Sequence, residues 1–392
     1  MKTRTASPAQ SRTSSLSGLS KTTALDSLHA IADLHHKSSD VSQAETIKIP
    51  ANKMDCNSLE PIHVFTESCD HVNNFDPEKG DQDHQRHSSQ LHEETSQDEL
   101  GHTCSWADLP QWMQDNPAIL TGYRRATNSY RRCLQSLLFL HNETVNIWSH
   151  LIGAVAFVII APVAYFKILG VMSAIQWTDV TVLYAFLAGA ISCLTMSASF
   201  HTFCCHSERV CSQWLRCDYL GIIFLIVGSF YPVIFYGFYC HKVWQIVYSS
   251  VITTLGAATI IAVMRPSFQL PQFRWVRSVL FLALGLSGLC PIVHGIVLYG
   301  YTLAQRSMGL NYLFSMGAIY VLGTLIYGSR VPECLFPGKF DNFMASHQIF
   351  HVCVLIGCTV HFVGVIKAMT FWHNDDLSCT IPLDQMRVMF AS

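Results

Sequence analysis

The chain has 392 residues, half of them hydrophobic and only 13% charged, with a formal net charge of −2. Soluble proteins carry roughly a quarter charged residues, so this composition excludes a soluble enzyme, gives no reason to expect a nucleic-acid partner and makes lipid the solvent for most of the chain. The charge is unevenly placed, with nine Lys and Arg against sixteen Asp and Glu in residues 1–100, leaving sixteen against eleven for the remainder.

Residues 1–20 are rich in Ser and Thr and hold no apolar core of signal-peptide length, so a transmembrane helix is expected to be the first insertion signal. Residues 1–101 carry no sustained apolar periodicity. Such a stretch buries too little surface to offset chain entropy, and a disordered acidic tail is expected. Its histidines, among them His35, His36, His84 and His87, lack tight ligand spacing and read as part of that solvated tail. Residues 102–146 mix Trp106, Trp112, Tyr123 and Tyr130 with Arg124, Arg125, Arg131 and Arg132, the composition of a juxtamembrane segment at the bilayer interface.

Seven apolar stretches follow, at 147–167, 180–203, 214–238, 243–264, 276–299, 311–327 and 343–369. Each can cross about 30 Å of hydrocarbon at ~1.5 Å per residue, or nearly so for the short sixth. The expected fold class is an all-α membrane protein, a seven-transmembrane-helix bundle over 147–369 with a short tail at 370–392. Pro162, Pro232 and Pro291 fall inside spans and predict local kinks. Basic residues near helix ends set orientation. A cytoplasmic N-terminus puts Arg124, Arg125, Arg131, Arg132, Arg209, Arg265, Arg274, Arg277, Arg330 and Lys339 inside, against Lys167, Lys242, Arg306, Lys367 and Arg387 outside, and that arrangement is expected. The fifteen cysteines include Cys193, Cys290, Cys353 and Cys358 in or beside apolar runs, with no Cys-x-x-Cys pair, and read as small buried hydrophobes.

Ionisable groups inside spans are costly and mark function or tight pairing. His201 closes the second span, Asp218 lies near the start of the third, and His347 and His351 open the seventh. Residues four apart share a helix face, so His347 and His351 can reach one point. The second span ends on the side of the membrane where the third and seventh begin, so all four groups share one end of the bundle whatever its orientation. Three imidazoles with one open position form the donor set of a catalytic zinc, which acidifies a bound water towards about pKa 7. Asp218 then fits as the acceptor or general base for that water. Ser197, one turn before His201, can hydrogen-bond the water or a substrate carbonyl. Glu143 precedes the first span, where a carboxylate meets the positive end of the helix dipole, and both a capping and a functional role are open. His150, His206, His241, His294, His361 and His373 read as packing, loop or interfacial residues.

The run Leu140-His-Asn-Glu-Thr-Val-Asn-Ile-Trp-Ser-His150, the segment Ser197-Ala-Ser-Phe-His201, the pair Asp218-Tyr219, and Pro332-Glu-Cys-Leu-Phe-Pro337 leading into Ser346-His-Gln-Ile-Phe-His351 closely resemble the progestin and adipoQ receptor family, which includes the adiponectin receptors and haemolysin-III-related proteins. The resemblance covers about 106–369, and its wording is more like that of fungal members. It implies a seven-helix bundle with a cytoplasmic N-terminus and a zinc ion near the cytoplasmic face on His201, His347 and His351, with Asp218 and Ser197 beside it. It further implies ceramidase-type hydrolysis of a lipid amide and a link to zinc and lipid homeostasis. Two functions follow: a zinc-dependent hydrolase acting on a ceramide-like lipid, or a receptor for an extracellular protein ligand in which zinc is structural. A retinal-type pump is disfavoured, because the seventh span has no central lysine and Lys367 lies near its end.

Overall fold

The computed structural model describes residues 103–172, 175–374 and 379–389; the expected disordered tail at 1–101 lies outside them. The α-helices in these residues are α1 (Tyr130–Gln135), α2 (Thr144–Lys167), α3 (Trp177–Phe203), α4 (Glu208–Gly237), α5 (Lys242–Val263), α6 (Arg274–Leu286), α7 (Leu289–Tyr299), α8 (Tyr301–Met308), α9 (Leu310–Ser329), α10 (Ser346–Asn374) and α11 (Leu383–Met389). Seven segments are long and apolar enough to cross a bilayer: α2, α3, α4, α5, the stretch Pro271–Tyr299 that joins α6 to α7, α9, and α10. The protein is a multi-pass integral membrane protein built as a seven-helix bundle.

The spans match the expected ones, with two instructive differences. The third helix begins at Glu208 rather than at 214, because Glu208 and Arg209 add polar turns that no apolar stretch can reveal. The fifth span is broken between Leu286 and Leu289. Pro291 has no N–H for the Ser287 carbonyl four residues back, and that carbonyl accepts from Cys290 N–H at 3.2 Å instead. Pro162 and Pro232 sit inside α2 and α4, which run on through them.

α3 and α4 approach closely because glycine lines their contact. A Cβ at Gly221 would lie 2.9 Å from Cys193 Cα, and one at Gly189 only 2.5 Å from the Phe224 carbonyl oxygen. Where lipid offers no hydrophobic drive between helices, such small residues let backbones pack by van der Waals contact. Buried Leu183, Phe186, Leu187 and Leu194 on α3 form the adjoining core.

At one end of the bundle a buried carboxylate joins three helices. Asp179 in the first turn of α3 is fully buried and accepts from Tyr236 Oη on α4 at 3.0 Å, from Gln176 N–H at 3.0 Å and from His373 Nε2 on α10 at 2.9 Å. Removing one partner of a buried polar pair strands the others and costs about 3–5 kcal/mol. Asp179→Ala is therefore expected to lower the melting temperature clearly, and an unchanged melt would argue that the cluster holds nothing together.

At the same end Cys240, just past α4, forms a disulfide with Cys379 beyond α10; at the opposite end Cys334, between α9 and α10, is disulfide-bonded as well. These correct the reading of the cysteines as uniformly buried hydrophobes. That reading suits Cys193 and Cys358, which are buried free thiols, whereas the bonded cysteines lie in the connections between and beyond helices.

The other end is covered by protein rather than by lipid headgroups alone. Asp341, in the connection between α9 and α10, accepts from the N–H groups of Leu120 (3.1 Å) and Thr121 (2.9 Å) and from Thr121 Oγ1 (2.7 Å). Buried Glu333 accepts from Asn116 Nδ2 at 3.2 Å, from Ser346 N–H at 2.8 Å and from the Ser346 hydroxyl. The juxtamembrane segment is thus fastened to the start of α10.

Candidate metal centre

Two helices bring the three histidines together. His201 lies two residues before the end of α3, while His347 and His351 occupy the first two turns of α10. His201 and His351 are buried, and one ring nitrogen of each of the three histidines lies within 4.8 Å of the others. His347 Nε2 is 3.2 Å from His201 Nε2 and 3.2 Å from His351 Nε2. A ring nitrogen carries either one proton or one in-plane lone pair, so His347 Nε2 cannot make an in-line hydrogen bond to both neighbours. A shared cation satisfies all three lone pairs at once. Two imidazoles held about 2.0–2.1 Å from a tetrahedral ion stand about 3.3 Å apart, close to what is seen. The buried triad can hold a metal ion.

The first of these ligands is oriented from α2. His201 Nδ1 lies 2.7 Å from Glu143 Oε2, so the ring donates there and turns its Nε2 lone pair inward. Asn146 Nδ2 donates to the same oxygen at 2.6 Å. Burial alone would raise the Glu143 carboxyl; the His201 ring and the hydrogen bonds from His201 and Asn146 outweigh it and hold the group below the usual carboxylate range. Glu143 stands at the start of α2 but makes no side-chain capping bond. Of its two open roles, the structure favours the one at the site. The cap comes from His141, whose Nδ1 accepts from Glu143 N–H at 3.1 Å. Burial pushes that ring down to about 4, which keeps it an acceptor at neutral pH.

One turn further along α2, His150 stacks on the His351 ring at 3.9 Å between centroids, with its Nε2 3.2 Å from the His351 carbonyl oxygen. Glu143, Asn146 and His150 therefore form one stripe that faces the triad. Their spacing of three and then four residues was visible in the sequence as a polar face on an otherwise apolar helix. Removing an acceptor that orients a metal ligand typically costs 10–100-fold in affinity. Glu143→Ala should weaken metal binding by about that factor in a competition titration with a chromogenic chelator, and wild-type affinity would remove Glu143 from the site.

The end of α3 is held by Arg124, which is buried rather than facing headgroups. Its guanidinium donates to the carbonyls of His201 (2.5 Å) and Thr202 (3.0 Å) and to Ser136 Oγ (2.8 Å). A cation there neutralises the negative end of the helix dipole and satisfies carbonyls that the helix leaves open.

Asp218 is buried on α4, ten residues after its start, close to buried Ser197 on α3. Its carboxylate is not among the atoms that converge within 4.8 Å, but it lies close enough to interact with His201. The structure therefore brings three imidazoles to one point, with the Ser197 hydroxyl one turn away on α3 and the Asp218 carboxylate on the neighbouring α4. Tyr327 packs against His347 at 5.1 Å from the far side.

Comparison with known proteins agrees with the residue pattern. Residues 138–362 match a family model described as haemolysin-III related. The chain is 40% identical over 281 residues to the adiponectin receptor protein of Drosophila melanogaster, covering 72% of this chain and 62% of that protein. It is 40% identical over 279 residues to heptahelical transmembrane protein 1 of Arabidopsis thaliana (70% and 83% covered), and 35% identical over 271 residues to the ADIPOR-like receptor IZH2 of Saccharomyces cerevisiae (69% and 84%). Identity to this yeast relative is thus no higher than to the fly or plant protein. The chain spans 62% and 58% of the length of the fly relative and of a Caenorhabditis elegans one.

Proposed function

Because this chain belongs to the haemolysin-III-related family, we propose that it is a zinc-dependent hydrolase of lipid amides, acting on a ceramide-like sphingolipid from within the bilayer. The observation that supports this reading is the donor set: three histidine nitrogens meeting at one point leave a fourth position open, as hydrolytic zinc sites do and closed structural sites do not. A zinc ion held there supplies Lewis-acid polarisation of a carbonyl and a water acidified towards about pKa 7.

The chain's own residues do the rest. Glu143 keeps the His201 lone pair on the metal side. The Asp218 carboxylate takes the proton of the attacking water and passes it to the amine nitrogen as the C–N bond breaks. Ser197, close to that carboxylate, orients it by turning its hydroxyl hydrogen towards it. The buried setting keeps bulk water away and strengthens each of these interactions. The proposed orientation has the N-terminus in the cytoplasm, with the site near that face and the Cys240–Cys379 bond on the other.

The test is release of sphingosine from a ceramide in proteoliposomes of the purified protein, followed by mass spectrometry. Turnover that stops on removal of zinc and returns on its addition is expected; turnover indifferent to chelation overturns the reading. The word receptor in the relatives' names favours a second reading, a zinc-stabilised receptor for an extracellular protein. It predicts no turnover, with metal removal lowering the melting temperature.

A further inference from the structure

A second chemical centre lies at the same end of the bundle as the histidines but outside the membrane spans. It is the thiol pair of Cys133 on α1 and Cys205, two residues past α3. We propose that this pair is a reversible oxidation site, at which a hydroperoxide forms a Cys133–Cys205 disulfide that ties the juxtamembrane helix to the end of the His201-bearing helix.

The two sulfurs lie 3.6 Å apart, and both residues are fully buried free cysteines. A disulfide needs them at about 2.05 Å, and the backbones that carry them are already fastened. Thr127 N–H donates to the Cys205 carbonyl at 2.9 Å and Asn128 N–H to the His206 carbonyl at 2.9 Å, while Thr127 Oγ1 lies 3.2 Å from Cys133 Sγ. These bonds already hold the two segments side by side, so rotation of the two side chains is the motion that closes the remaining gap.

The two thiols are unequal. The hydrogen bond from Cys205 favours the Cys133 thiolate, with Thr127 and Arg124 adding to it, while the same bond and burial push Cys205 up. The thiolate is the nucleophile in sulfur chemistry, so Cys133 attacks and Cys205 resolves. Access comes from α1 itself. A six-residue helix cannot hold its fold alone, and Tyr130, Arg131, Arg132, Leu134 and Gln135 around Cys133 are exposed. Its opening admits the oxidant while the bundle stays intact.

The chemistry balances. Cys133 Sγ attacks one peroxide oxygen, the O–O bond breaks, and the other oxygen leaves as an alcohol or water after taking a proton, leaving a sulfenic acid. Cys205 Sγ then attacks that sulfur, loses its proton and expels the hydroxyl as water. Two thiols and one hydroperoxide become one disulfide, one alcohol and one water. A dithiol reductant reverses the bond by exchange. The proposal rests on neither the metal nor the hydrolysis.

The test uses the full chain, purified, treated with hydrogen peroxide, alkylated and digested without reductant. A short peptide with one free cysteine, added to the sample, reports the oxidant dose. A peptide linking Cys133 to Cys205 that dithiothreitol cleaves is expected, and Cys205→Ser should leave a Cys133 sulfenic acid that dimedone traps. Should that variant fail to fold, the wild-type peptide map decides alone. Separate alkylation of Cys133 and Cys205 at a dose that oxidises the added peptide, or linkage of either to a different cysteine, overturns the proposal.

Discussion

Asp218→Asn should keep the metal and lose about 10²–10⁴ of amide hydrolysis, the usual worth of a positioned general base. Asparagine fills the same buried space, so the α3–α4 contact at Gly221 and Gly189 is left undisturbed. What it cannot do at neutral pH is take a proton. Metal content by elemental analysis and hydrolysis rate should therefore separate cleanly. Loss of metal together with activity would make Asp218 a structural member of the site, and full activity would remove it from the chemistry.

The second large effect belongs to His351. It is buried, stacked on His150 and one of three converging donors. About 10–16 kcal/mol of binding for a four-ligand zinc site, divided evenly, is about 2.5–4 kcal/mol per ligand. His351→Ala is accordingly expected to lower zinc affinity by about 10²–10³-fold. Anything that binds only the folded state raises its melting temperature by mass action, so added zinc should raise the melt of the wild type and leave that of the variant nearly unmoved. An equal response in both would mean that the ion sits elsewhere.

Much of this architecture was legible before the structure. Crossing a bilayer takes long apolar runs, and these are plain in the sequence, so the seven spans could be placed within a few residues at most ends. The meeting of His201 with His347 and His351 was legible as well, because alternation of helix direction dictates which ends share a face. Glu143 was harder. Whether a carboxylate at the start of α2 caps that helix or reaches across to α3 depends on the rotation of one helix against another, and no single helix encodes it. The Asp179, Tyr236 and His373 cluster was missed for a related reason. Its members come from three helices and are 57 and 194 residues from Asp179 in sequence, and none belongs to a local motif. The break in the fifth span illustrates a third limit: Pro291 marks where a carbonyl loses its partner but does not say whether the helix bends or stops.

The juxtamembrane segment holds two distant parts of the chain at once. Through Arg124 it grips the last carbonyls of α3, and through Asn116 and Glu333 it reaches the first residue of α10. Those are the two helices that carry the three converging histidines. A chain cut just before Thr144 would keep every span and all three imidazoles, yet lose the brace that sets how far His201 stands from His347. The two helices that form the candidate site are thus held in register by a segment that does not itself cross the membrane.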